Sequence, residues 1–258
     1  MSLSYGPLRR GAGAYNFSLE DAPQHLIYFT DFVPRLRATL DGEPLLDTVR
    51  AKLLYETGIG PVAYVPLEDF DQARMERTEH STHCPFKGDA SYWSVGEHEN
   101  IVWAYEEPLE SAPFLTGYAA VYFNRMDGWL VEDEPVFSAL RDPFHRVDVV
   151  ESSRAVTVSA GGEVITQSDA PLLLFETGLP ARPYLSRDGL PLTRSEKEPT
   201  TCPYKGTATY WSLPGIENAA WSYESPLPEA AAIAGLVAFD PSLVDVELSA
   251  GSGLRERR

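Results

Sequence analysis

Thr82-His83-Cys84-Pro85-Phe86-Lys87-Gly88-Asp89-Ala90-Ser91-Tyr92-Trp93-Ser94 returns later in the chain as Thr200-Thr201-Cys202-Pro203-Tyr204-Lys205-Gly206-Thr207-Ala208-Thr209-Tyr210-Trp211-Ser212. Nine of the thirteen positions are identical, and Phe86/Tyr204 and Ser91/Thr209 differ little in shape. The two segments lie 118 residues apart, so the 258-residue chain contains an internal duplication. The remaining sequence reads outward from these two copies.

Upstream, Leu36, Ala38 and Leu40 alternate with Arg37 and Thr39, as Val156 and Val158 flank Thr157. This period-two pattern predicts a half-buried strand in each copy. Asp41-Gly42 and Gly161-Gly162 follow, and both dipeptides favour a tight hairpin turn. Next come the strands Lys52–Tyr55 and Leu172–Phe175, each closed by Glu-Thr-Gly, and then strands around Tyr64 and Tyr184. The charged interval from Glu68 to His80 reads as a surface loop. Downstream, strands carrying Tyr92-Trp93 and Trp103-x-Tyr105 recur as Tyr210-Trp211 and Trp221-x-Tyr223, each pair followed by Pro-Leu. Pro228 to Gly235 is alanine-rich, with proline at its start and glycine at its end, and predicts a short helix. Pro108 to Gly117 is its weaker twin. A closing strand is expected around Ala119–Phe123 and Leu236–Phe239, with a last one at Val244–Leu248.

These readings set an N-terminal extension at 1–33, a first repeat at 34–132, a linker at 133–153, a second repeat at 154–248 and a tail at 249–258. Residues 1–32 show no counterpart in the second half. Ser2 to Ala14 is expected to be mobile, and His25–Phe29 to add an edge strand or dock on the second unit. The fold class is mainly β, with two tandem antiparallel domains, each bearing one short helix and related by a pseudo-two-fold. A monomer with an internal pseudo-dimer, or a homodimer of it, is the expected assembly.

A net charge of −17 and a pI near 4.6 leave no excess of Lys and Arg to displace counterions from nucleic acid or to meet an anionic membrane. The N-terminus has no secretory apolar run, and no stretch reaches the length of a membrane span, so a cytoplasmic location is expected. Two cysteines at equivalent positions of separate units predict no disulfide.

The ordered pattern of hairpin, Glu-Thr-Gly, Tyr strand, Thr-x-Cys-Pro-[Phe/Tyr]-Lys-Gly-x-Ala-x-Tyr-Trp-Ser, Trp-x-Tyr, Pro-Leu and Ala-Gly-Leu-Val-Ala-Phe resembles the bacterial domain-of-unknown-function family 427. The second copy matches nearly end to end, and Arg141–Asp148 looks like the linker of tandem actinobacterial members. The resemblance implies a compact antiparallel fold similar to the β-tent of zinc-binding proteins such as methionine sulfoxide reductase B. It carries a nucleotidyltransferase-like label and no established activity. Neither half has the Cys-x-x-Cys pair of the zinc-bearing relatives.

Zinc needs about four Cys, His or carboxylate ligands. His80, His83, Cys84 and His98 occur in the first copy, whereas Cys202 and Glu198 stand without histidine in the second, so no metal and no cofactor are expected. Cys84 and Cys202 as nucleophiles lack a well-placed base, since His83 points away from its neighbour on an extended chain. Asp69-Phe70-Asp71 has the spacing of a magnesium pair and no counterpart in the second copy. The shared polar and aromatic positions are Glu56/Glu176, Tyr64/Tyr184, Cys84/Cys202, Lys87/Lys205, Tyr92/Tyr210, Trp103/Trp221 and Tyr105/Tyr223. They predict a Tyr/Trp/Lys pocket for a small anionic or carbonyl-bearing molecule, with Lys87 and Lys205 at its mouth. The competing arrangement pairs each lysine with Glu56 or Glu176. An enzyme of nucleotidyl transfer or hydrolysis, and a protein-interaction module, are the alternatives; an aromatic pocket with a buried lysine argues against the module.

Overall fold

Leu53 and Leu54 are neighbours on one strand and are buried in two different cores, as period-two alternation requires. The computed structural model describes residues 23–250, and in the second half Leu173 and Leu174 are likewise both buried. The expected mobile segment Ser2–Ala14 and the end of the tail lie outside the described residues. The chain divides into two units between Asp142 and Pro143, inside the segment read as a linker.

The first unit contains strands β1 (Ile27–Asp31), β2 (Leu36–Leu40), β3 (Glu43–Thr48), β4 (Lys52–Glu56), β5 (Ile59–Pro66), β6 (Met75–Cys84), β7 (Gly88–Val95), β8 (His98–Ala104), β9 (Tyr118–Val121), β10 (Gly128–Val131) and β11 (Glu134–Pro135). A larger antiparallel sheet runs β1-β4-β5-β9-β8-β7-β6, and a smaller one β11-β10-β2-β3. Leu36, Leu40 and Leu46 of the smaller sheet pack with Leu53, Val95 and Ile101 of the larger. The opposite face of the larger sheet buries Leu54, Tyr64, Ala90 and Tyr92 under Ala112 and Leu115.

The second unit contains β12 (Val147–Glu151), β13 (Val156–Ala160), β14 (Glu163–Ser168), β15 (Leu172–Glu176), β16 (Arg182–Tyr184), β17 (Thr193–Arg194), β18 (Thr200–Cys202), β19 (Gly206–Leu213), β20 (Ile216–Tyr223), β21 (Val237–Phe239) and β22 (Asp245–Leu248). Leu185 and Val237 exchange two backbone hydrogen bonds of 2.9 Å, joining β16 to β21. The resulting order β12-β15-β16-β21-β20-β19 reproduces β1-β4-β5-β9-β8-β7, and β14-β13-β22 reproduces β3-β2-β10. The fold is thus mainly β, built from two repeats of antiparallel sheet. Both hairpin dipeptides take positive φ, at 57° and 77° for Asp41-Gly42 and at 57° and 86° for Gly161-Gly162.

Three elements differ from the sequence reading. β1 is the edge strand that His25–Phe29 was expected to add, but it has a counterpart: it pairs with β4 from Ile27↔Glu56 onward, as β12 pairs with β15 from Val147↔Glu176. The counterpart of His25–Phe29 was hidden inside the supposed linker, because the two segments share little side-chain chemistry. The interval Glu68–His80 is a loop only in its first half. β6 then runs along the sheet edge, where its exposed Glu76, Glu79 and His80 give a loop-like sequence. In the second unit that strand is split into β17 and β18, with Pro199 in the gap. The predicted helix is the 3-10 segment Pro228–Ile233, and its twin shrinks to Pro113–Leu115. Ala230 and Ile233, like Ala112 and Leu115, are fully buried and three residues apart, which matches the three-residue turn of a 3-10 helix.

Among the described residues no helix is long and apolar enough to cross a membrane.

Candidate functional site

Cys-Pro-x-Lys-Gly makes the turn that enters β7 and β19. Gly88 and Gly206 adopt φ of +104° and +96°. A Cβ on Gly206 would stand 3.3 Å from the Ser225 carbonyl oxygen, and one on Gly88 3.4 Å from that of Glu107. Glycine is therefore required twice over, by conformation and by close approach of the Pro-Leu segment. That segment is tied back by Leu109 N–H donating to Lys87 O at 3.0 Å and Leu227 N–H to Lys205 O at 3.1 Å.

The turn sends each lysine inward, leaving Lys87 8% and Lys205 9% exposed. Lys87 Nζ donates to Glu56 Oε1, and Lys205 Nζ to Glu176 Oε2. The second oxygen of each glutamate meets a histidine: His25 Nε2 lies 3.0 Å from Glu56 Oε2, and His145 Nε2 3.0 Å from Glu176 Oε1. His25 stacks on Phe86 with centroids 3.9 Å apart, and His145 on Tyr204 at 4.0 Å. The position between Pro and Lys thus covers a histidine, which explains why it stays aromatic in both copies.

Thr57 completes the clamp. Its Oγ1 accepts Leu26 N–H at 3.0 Å, and Thr177 Oγ1 accepts Arg146 N–H at 2.8 Å. Glu-Thr-Gly therefore grips the histidine with its first residue and the following backbone with its second. Sequence reasoning missed both histidines. The available signal was their spacing of 120, the same as that of Glu56 and Glu176.

The other predicted side chains gather on the same face. Tyr92 OH lies 2.9 Å from Thr82 Oγ1, and Tyr210 OH 2.7 Å from Thr200 Oγ1. Trp221 Nε1 donates to Tyr184 OH at 3.3 Å, and Trp103 packs in one cluster with Tyr64. Lys87 Nζ stands 5.4 Å from the centre of the Tyr105 ring. Burial pushes the Tyr184 phenol up to about 12 and raises Tyr64, Tyr105 and Tyr223 well above the usual range, so all four stay neutral. Cys84 and Cys202 are free, half-buried thiols.

The first copy's other polar candidates are dispersed. His83 pairs with Asp89 at 2.6 Å, His98 with Asp41 at 2.9 Å, and His80 meets the Tyr92 ring at 4.6 Å. Among the described residues no three or more His, Cys, Asp or Glu side chains gather as a metal site. Asp69 is held by Arg50 and by Thr48 Oγ1, while Phe70 is buried beside Leu46.

In the second unit the face opens into a cavity of about 290 Å³. Its walls include Glu176, Tyr184, Lys205, Tyr210, Trp221 and Tyr223 from the predicted set; Cys202 does not line it. The cavity adds three charged residues that sequence reasoning did not single out, Arg182, Lys197 and Asp240.

A turn that buries a lysine against a glutamate, under an aromatic-covered histidine, is thus built twice by one chain. The family described as Domain of unknown function (DUF427) matches it twice, over residues 29–132 and 148–250. This chain belongs to that family. No curated protein matches it. Each DUF427 match begins within the strand that follows the site histidine, β1 or β12, so the strand missed from the first repeat lies largely inside the family's span.

The two DUF427 repeats differ at the three added positions. Val62 opposes Leu54 as Arg182 opposes Leu174. His80 N–H donates to Thr78 Oγ1 as Lys197 N–H does to Ser195 Oγ. Tyr122 N–H donates to Ile101 O as Asp240 N–H does to Ala219 O. Val62, His80 and Tyr122 in the first repeat thus stand for Arg182, Lys197 and Asp240 in the second.

Proposed function

We propose that this tandem DUF427 chain is a small-molecule-binding protein that holds an anionic or carbonyl-bearing ligand in its Tyr/Trp/Lys cavity. The observation that carries this reading is the cavity of about 290 Å³ beside Lys205 and Tyr210. Its size suits a ligand at the small end of the usual range, and an aromatic wall beside charged groups can fix such a ligand's orientation. A protein-interaction module would instead present a flat aromatic patch with its lysine in solvent, whereas Lys205 is buried.

Binding is favoured over chemistry because the reactive groups are already engaged. Both oxygens of Glu176 are taken, by Lys205 and His145. Tyr210 OH is bonded to Thr200, and the Tyr184 and Tyr223 phenols are held neutral.

Thermal melting of the full chain against a panel of carboxylates, phosphate esters and neutral ring compounds tests the reading. Anionic members should raise the melting temperature in a concentration-dependent way, and neutral analogues less so. A panel in which no anion shifts the melt would overturn it.

A further inference from the structure

Resting on that reading, we infer that ligand binding belongs to the second repeat alone. Its ligand carries a carboxylate or phosphate on a planar ring, and Arg182 and Lys197, rather than Lys205, hold the anion. Lys205 is balanced by Glu176 and has no charge to spare for a ligand. Arg182 and Lys197 are different. Among the described residues neither makes an ion pair within 4 Å of a carboxylate, and both line the cavity.

The Arg182 guanidinium lies 5.2 Å from the Trp221 ring centre and uses Nη1 to bond Phe239 O at 3.3 Å. The Lys197 amine stands 3.7 Å from the Tyr210 ring centre. Trp221 and Tyr210 are direct cross-strand partners, so two cations sit over neighbouring rings of one wall. The opposing charge in the cavity is Asp240, whose Oδ1 accepts from Ser242 N at 2.9 Å and Ser242 Oγ at 2.7 Å. One positive charge is left in excess, in a chain whose total is −17. A cationic spot of this kind inside an acidic protein selects for an anion by short-range, charge-assisted bonds rather than by long-range attraction. Aromatic walls and the limited volume complete the match to a ring bearing that anion.

The first repeat has neither cation, and its own tyrosine takes the equivalent place. Tyr122 lies on Trp103 with ring centroids 4.6 Å apart. Trp103 and Tyr92 are the cross-strand counterparts of Trp221 and Tyr210. A tyrosine ring lying on this wall takes the place that the second repeat leaves for a ligand ring.

The full chain labelled with 5-fluorotryptophan and titrated with phenyl phosphate, followed by fluorine NMR, reads the two sites separately. The Trp221 resonance should move saturably and the Trp103 resonance should not. Arg182→Val/Lys197→His, which installs the first repeat's residues, should weaken binding by about tenfold or more. Asp240→Asn should tighten it, a change that loss of folding cannot mimic. Movement of the Trp103 resonance, or unchanged affinity in the double variant, would overturn the inference and leave the proposed function standing. If neither resonance moves with phenyl phosphate or benzoate at millimolar concentration, both fall.

Discussion

Tyr122 lies on Trp103, its ring centre 4.6 Å from the indole, and the residue in its place in the second repeat is Asp240. Together with Val62 and His80 in place of Arg182 and Lys197, this difference separates a face occupied by its own side chain from a face with a cavity. The buried Lys-Glu-His array beneath is the same in both, so the array is the framework and the cavity wall is what varies.

The framework makes a stability prediction. Lys87 and Glu56 are buried together, and removing one partner strands the other's charge. Lys87→Met should cost on the order of 3 kcal/mol in urea unfolding, and Lys205→Met a similar amount. Lys87→Met combined with Glu56→Leu should recover part of the loss, because no uncompensated charge remains. A single variant as stable as the parent would show that the ion pair contributes nothing.

The turn makes a second. Gly206→Ala places a Cβ at positive φ and 3.3 Å from the Ser225 carbonyl oxygen. A loss of about 1–3 kcal/mol is expected from that strain. Gly189→Ala has positive φ and nothing within 4 Å, so it serves as the reference for conformation alone and should cost less.

Acid sensitivity follows from two matched carboxylates. Ser222 and then Arg187 hold Glu224 below its usual value of 4.5, and Ser91 and then Arg77 do the same for Glu106. A depressed carboxylate stabilises the fold fully above its unfolded pKa and loses that contribution as pH falls through the folded one. Stability should therefore be level from neutral pH to about 5 and decline below about 4.5. Glu224→Gln should flatten the decline; an unchanged acid profile would exclude this pair as a source.

Much of the fold could be read from the sequence because backbone constraints leave marks at single positions. Paired glycine turns, Cys-Pro-x-Lys-Gly and alternation around Tyr92-Trp93 fix strands without reference to partners. The site was legible only where both copies kept the same residue. His25 and His145 are kept, but their flanks are Leu-Ile-Tyr and Arg-Val-Asp, and an edge strand accepts such change because one side is open.

Arg77 and Arg187 show a second limit. They occupy non-equivalent positions, yet each covers a tryptophan, Trp93 at 6.0 Å and Trp211 at 5.1 Å, and each pairs with the glutamate of Glu-x-Pro-Leu. Position-by-position comparison cannot find a contact that two repeats reach from different strands or loops. Arg182, Lys197 and Asp240 were missed for the opposite reason: they matter because the copies differ there.

The most direct test of the one-sided duplication is the stoichiometry of phenyl phosphate binding to the full chain by titration calorimetry. The account predicts one site per chain in the parent and none in Arg182→Val/Lys197→His. Tyr122→Asp with Val62→Arg and His80→Lys, the second repeat's residues placed in the first, should raise the count to two. Two equal sites in the parent chain, or a single site that survives the Arg182/Lys197 change, would contradict it.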